Sequence, residues 1–290
     1  IYEHDNIYKN HLINSKLFQI PFEELASHDF IEFFMNFRIY SKEHPDLPLL
    51  PKKRMAESVH GAISVLMNYA LSNNYITTNT LPSLKTIPMQ FQKTSPKEMK
   101  LLTKAERDKI CEYALDKTKN TDIYDLTIAF LSQTGIRIGE CKALMFDDIV
   151  KNEDGITCIS ISKQMVDSKG HRNELVDHIK AYAKNGVRYV PLSSYACDII
   201  DRASEINNNE KGFIFSHISK YSAKKNLNPG LCSTTINSHI KTMFAKIGID
   251  SQDFSSHGFR FSIAYYLYEK GIPENEIQLI LGHNSCAMTK

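Results

Sequence analysis

The chain holds 290 residues, 42% of them hydrophobic, which supplies the cores of two domains and excludes a disordered polymer. Thirty-five basic residues stand against 33 acidic ones, and a net charge of +2 excludes a blanket polycation. No apolar run approaches the roughly 18 residues of a membrane helix, and the opening IYEHDNIYKN is too polar for a signal peptide, so a soluble cytoplasmic protein is expected. Six scattered cysteines without a Cys-x-x-Cys pair argue against a zinc knuckle or a disulfide framework. Cys141 and Cys197 fall in helical apolar patterns and read as small buried hydrophobes. Eleven histidines lack metal-binding spacing beside carboxylates, so neither metal nor cofactor is expected. The basic clusters Pro51-Lys52-Lys53-Arg54 and Lys224-Lys225 read as solvated surface runs. Opening on Ile1 rather than Met suggests a fragment or a processed product.

From about Pro21 to Ile76 the pattern is helical. Ser27 or His28-Asp29 can cap a helix whose apolar stripe is Phe30, Phe33, Phe34, Phe37 and Ile39. After the breaker PDLPLLPKKR, a second helix repeats the period through Val59, Ile63, Leu66, Met67 and Ala70. The polar, proline-bearing stretch TTNTLPSLKTIPMQFQKTSPKEMK reads as a linker, with a domain boundary near Ser95. Residues 1–95 and 96–290 are therefore expected as separate domains.

The second domain begins at LTKAERDKICEYALD, where Thr103 and Glu106 have capping-box spacing. Helices follow through DIYDLTIAFLSQ and IRIGECKALMF, hinged at Thr134-Gly135. ITCISISKQMV and VRYVPLS alternate like strands, separated by the long polar connection SKGHRNELVDHIKAYAKNG. From Ser193 the pattern is helical again, ending with PENEIQLI between Pro273 and the stop at Gly282. The expected fold is mainly α with a small antiparallel sheet: a helical first domain and a mixed α+β second one.

Three short segments carry candidate chemistry. In TGIRIGE, Arg137 sits at a helix start with Glu140 one turn on, a spacing that sets a carboxylate beside the guanidinium. On its own this is an ordinary helix ion pair. In SSHGFR, Ser255 or Ser256 can cap a helix presenting His257 and Arg260 on one face of its first turn, a combination suited to phosphate. LGH, with His283, closes a helix about two dozen residues later. A lone HxxR or LGH is commonplace; their joint order and spacing is not.

That order, with a lysine-bearing β-hairpin between the arginines, resembles the catalytic domain of the tyrosine recombinase (phage integrase) family. The run HGFRFSIAYYLYEKGIPENEIQLILGHNSCAMT is similar to the family's C-terminal signature nearly throughout, LTKAERDKI to its usual domain entry, and residues 1–95 to its helical core-type DNA-binding domain. The resemblance implies metal-free strand exchange at double-stranded DNA attachment or recombination sites, through a 3′-phosphotyrosine intermediate within a homotetramer, for integration or excision of a mobile element. DNA-bending accessory proteins are further implied partners. Arg137 and Arg260 would clamp the scissile phosphate, with Glu140 supporting. His257 would handle the nucleophile's proton, His283 would hydrogen-bond the phosphate, and a lysine would protonate the leaving 5′ oxygen. Lys184 is the first candidate for that lysine, with Lys180 and Lys169 as alternatives. The family's nucleophilic tyrosine follows the LGH histidine by about nine residues, whereas seven residues follow it here, and Tyr265, Tyr266 and Tyr268 read as aromatics of the helix behind HGFR. The chain as it stands is expected to bind DNA without cleaving it. A type IB topoisomerase and a non-catalytic DNA-binding relative share enough chemistry to stand as alternatives.

Overall fold

In the computed structural model the chain forms two compact units, residues 1–97 and 98–290. The structure describes residues 2–40, 46–93, 100–168, 171–177, 179, 186–207, 211–216, 231–252 and 254–282.

In the first unit, α1 (Tyr2–Ile7) runs into a π-helical turn, and α2 (Ser27–Asn36) and α3 (Lys53–Ser72) supply most of the core. Phe30, Phe34 and Phe37 of the α2 stripe meet Val59, Ile63 and Met67 of α3, an apolar seam at helical spacing on both sides. A two-residue antiparallel ladder, β1 (Ile39–Tyr40) with β2 (Pro48–Leu49), joins the two helices. Of the two candidates for the α2 start it is Asp29 that closes it, reaching back to the Ala26 N–H (2.9 Å), while the Ser27 hydroxyl donates to the Thr80 carbonyl (2.7 Å).

The stretch after α3 is also not the free linker its composition predicts. The Thr80 hydroxyl donates to the Leu25 carbonyl (2.9 Å), His60 bonds the Pro82 carbonyl (2.9 Å), and Ile87 is buried with this unit's core. Apolar residues spaced among prolines let an extended segment lie along a helix pair without any period of its own.

The second unit is built around α5 (Ile123–Thr134), which is apolar on nearly every side and correspondingly buried. Around it stand α4 (Lys104–Leu115), α7 (Ser194–Asn207), α8 (Ser233–Ile247) and α9 (Ser256–Glu269). The Thr103–Glu106 capping box starts α4, with the Glu106 N–H on the Thr103 hydroxyl and the Thr103 N–H on the Glu106 carboxylate. The short α6 (Ile138–Ala143) follows α5 across a Gly135 turn, and α10 (Glu274–Leu281) packs on α9 through Ile263, Ala264, Ile277 and Leu281.

Three antiparallel strands, β3 (Ile149–Lys151), β4 (Thr157–Ile161) and β7 (Arg188–Pro191), form a sheet in the order β3-β4-β7. The single strand expected over 156–166 is in fact two, since the chain breaks after Ile161 and resumes as β5 (Gln164–Ser168). β5 pairs with β6 (His171–Val176), so part of the expected polar connection is a strand of a second hairpin. Its polar sequence hid it, because a two-stranded ribbon needs no continuous apolar face. No helix among the described residues is long and apolar enough to cross a membrane.

Candidate active site

The site lies where three elements of the second unit meet the end of α10. Gly135 ends α5 in the left-handed region (φ 62°), and a Cβ there would stand 2.9 Å from Cβ of Ile263. Both the turn and the close approach of α9 require glycine. Two residues on, Arg137 occupies the N-cap of α6, and Glu140 closes that helix start by accepting the Arg137 backbone N–H (2.8 Å). The same carboxylate takes the Arg137 guanidinium at 3.0 Å.

Glu140 is almost wholly buried and has a stronger partner that sequence reading missed. Arg188, the first residue of β7, grips it with both terminal nitrogens, at 2.9 and 2.5 Å. This is the fork-on-carboxylate geometry that guanidinium favours. Burial alone would push the Glu140 carboxyl up, but the bonds and charge of Arg188, with the charge of Arg137, hold it below the usual range. A signal for Arg188 existed. Along β7 residues alternate buried and exposed, so the period of two places Arg188 on the same inward face as Val190.

Arg260 enters from the first turn of α9, 3% exposed, with Nη1 on the Gly135 carbonyl at 3.2 Å and Nη2 on the Leu281 carbonyl. Burial first, then the neighbouring Arg137 charge, pushes its pKa down to about 9, which leaves it charged at neutrality. His257, three residues earlier on the same helix, is exposed, with its ring edge-on to Phe261. Partial desolvation, then Arg260 and Arg137, lowers its pKa, so the imidazole is neutral at pH 7. The α9 start is not capped by a serine side chain as expected. Ser255 holds the N-cap position without such a bond, and the Ser256 N–H donates to the Asn237 side chain (3.0 Å).

These elements converge on the C-terminal end of α10. The last carbonyls of a helix have no partner within it, and here three successive ones are taken by three arginines. Arg188 Nε donates to Ile280 (3.1 Å), Arg260 to Leu281, and Arg137 Nη2 to Gly282 (2.8 Å). Gly282 lies in the left-handed region (φ 69°), and a Cβ on it would come within 2.9 Å of Arg188 Nη1. The structure thus brings Arg137, Glu140, His257 and Arg260 into one neighbourhood. Lys184, Lys180, Lys169 and His283 lie outside the described residues. Three guanidiniums against one carboxylate leave a positive excess, which suits an oxyanion.

At the other end of α5, Asp122, Asp125 and His239 bring their ligand atoms within 4.8 Å of one another. Both carboxylates are engaged in capping: Asp122 accepts the N–H of Tyr124 and Asp125, and Asp125 accepts that of Asp122. His239 is stacked on Tyr124 at 4.6 Å. The arrangement is accounted for by helix capping.

A model described as the phage integrase family matches residues 100–290. The Tyrosine recombinase XerC-like protein of Caldanaerobacter subterraneus subsp. tengcongensis is 22% identical over 303 residues, covering 99% of this chain and 71% of that protein. The Tn1549 transposon integrase, solved in complex with transposon right end DNA, superposes with a TM-score of 0.71 at 16% identity, covering 99% of this chain and 86% of that one. A lambda integrase dimer bound to a COC' core site does so with a TM-score of 0.56 at 17% identity, covering 99% and 84%. At such identities the structural likeness speaks to the fold.

Proposed function

The chain belongs to the phage integrase family of tyrosine recombinases, and from that premise we propose that the arginine cluster is the scissile-phosphate pocket of a site-specific DNA recombinase. One observation carries this reading: Arg137 and Arg260, from separate helices, are directed at the same edge, with the neutral His257 one turn from Arg260. Double-stranded DNA would be held through its phosphates, with affinity that falls steeply with salt.

A tyrosine hydroxyl attacks the phosphorus while its proton passes to His257. The new phosphate–tyrosine bond forms at the 3′ side as the bond to the 5′ oxygen breaks, and that oxygen takes a proton from a lysine acid, Lys184 before Lys180 or Lys169. Charge grows on the non-bridging oxygens between these events. Fixed guanidiniums at Arg137 and Arg260 stabilise that state more than the ground state, which is what lowers a barrier. His283 adds a hydrogen bond to the same phosphate. The reverse attack by a 5′ hydroxyl of another duplex completes strand exchange, within a tetramer on attachment sites of a mobile element.

The test uses the protein carried through the tyrosine that the family places after His283, with a suicide duplex of the attachment site. A covalent protein–DNA adduct is expected. Arg137→Ala and Arg260→Ala are each expected to slow its formation by about 10²–10³-fold, with duplex affinity within about threefold because each is one of many phosphate contacts. An undiminished adduct in either variant would remove the catalytic assignment.

A further inference from the structure

Arg188 is the one arginine of the cluster that the proposed chemistry leaves without a task. It is 4% exposed, and all three of its guanidinium nitrogens are already engaged within the protein. Its partners are two. Both terminal nitrogens hold Glu140, the carboxylate that also holds Arg137, and Nε holds the Ile280 carbonyl next to those bound by Arg260 and Arg137. It therefore touches both things a phosphate clamp needs fixed: the carboxylate that aims Arg137, and the helix end on which the clamp arginines rest.

We propose that Arg188 is a positioning residue, which locks Glu140 so that Arg137 has a single orientation and seats the end of α10 against the clamp. The inference rests on the phosphate-pocket reading. Two features favour it over simple charge neutralisation. Arg137 alone already neutralises Glu140, one charge for one, so a second guanidinium is not needed for balance. The fork also adds a second bond to each carboxylate oxygen, one of which Arg137 holds through its guanidinium and the other through its backbone N–H. The carboxylate that aims the Arg137 guanidinium is thus fixed from a separate element. The absence of room for a side chain at Gly282 shows how closely the α10 turn is packed on this guanidinium.

The test compares Arg188→Met and Arg188→Lys with wild type by side-chain NMR, following the Nε–Hε signal of Arg137 assigned with Arg137→Ala. In wild type that signal should be sharp and protected. In both variants it should broaden or vanish, while duplex affinity stays within about threefold. Lysine keeps the charge and cannot fork, so Arg188→Lys, the gentler change, decides the matter if Arg188→Met does not fold. In the adduct assay, Arg188→Lys should be slower by about 10-fold or more at unchanged affinity, a loss of positioning rather than of binding. An Arg137 signal and an adduct rate equal to wild type in Arg188→Lys would overturn the proposal. If the protein carried through that tyrosine, with Arg188 unchanged, forms no adduct, the phosphate-pocket reading fails, and the NMR comparison still decides whether Arg188 orients Arg137.

Discussion

Two helix ends in the second unit solve the same problem in opposite ways. The N-terminus of α5 is closed by its own neighbours: Asp122 and Asp125 satisfy N–H groups two or three residues away. The C-terminus of α10 is closed from afar, by arginines that lie 21, 92 and 145 positions distant in the chain. A local cap stabilises one helix and little else. A cap assembled from three elements makes the helix end part of the fold's centre, so anything that disturbs it should be felt at the phosphate pocket. The contrast is one of coupling, and it can be measured.

The largest effect should come from removing the carboxylate that both Arg137 and Arg188 share. Glu140→Ala leaves buried guanidiniums without their counter-charge and should cost about 3–5 kcal/mol in denaturant unfolding. Because the folded-state pKa of Glu140 is lowered from 4.5, its contribution should be fully present above pH 4.5 and lost as the pH falls below it. A wild-type acid transition no steeper than that of Glu140→Gln would break this account.

Next comes Gly282→Ala, which places a Cβ in the left-handed region and against Arg188. Backbone strain alone is worth about 1–2 kcal/mol, and adduct formation should fall with it. Asp122→Ala, at the local cap, should cost about 1 kcal/mol and leave adduct formation per folded molecule unchanged. If Asp122→Ala slowed the chemistry as much as Gly282→Ala, the distinction between the two ends would collapse. The smallest effect is in pH dependence. His257 must be neutral to accept a proton and its pKa is lowered from 6.5, so the acid limb of the adduct rate should have its midpoint below pH 6.5. A midpoint above that value would mean that partial desolvation and the two arginines do not govern His257.

The same contrast explains what was legible in the sequence. Devices that act over three or four residues could be read directly: the Thr103–Glu106 box, the Arg137–Glu140 pair, and the stop at Gly282. So could the helical stripes of α2 and α3, except at Ile39, which lies in β1, and at Leu66, which is exposed. The inward face of Arg188 could be read from the period of β7, but its partners could not, because they are residues 140 and 280. The strand β6 was hidden by its polarity, and residues 77–93 by their lack of period, although Ile87 is buried. The serine cap expected on α9 was pre-empted by Asn237, again a partner from another helix.

Lys142, two residues beyond Glu140, has a consequence for motion. Its side chain is wholly buried, and its ammonium binds the half-exposed Asp167 on β5 (3.3 Å) and the Ser233 hydroxyl at the start of α8 (3.0 Å). Peeling β5 from α6 would leave that ammonium inside the protein without its carboxylate, a state costing several kcal/mol. Small excursions of the hairpin are thus suppressed, and amide exchange in β5 should proceed by cooperative opening together with α6 rather than by fraying from its own end.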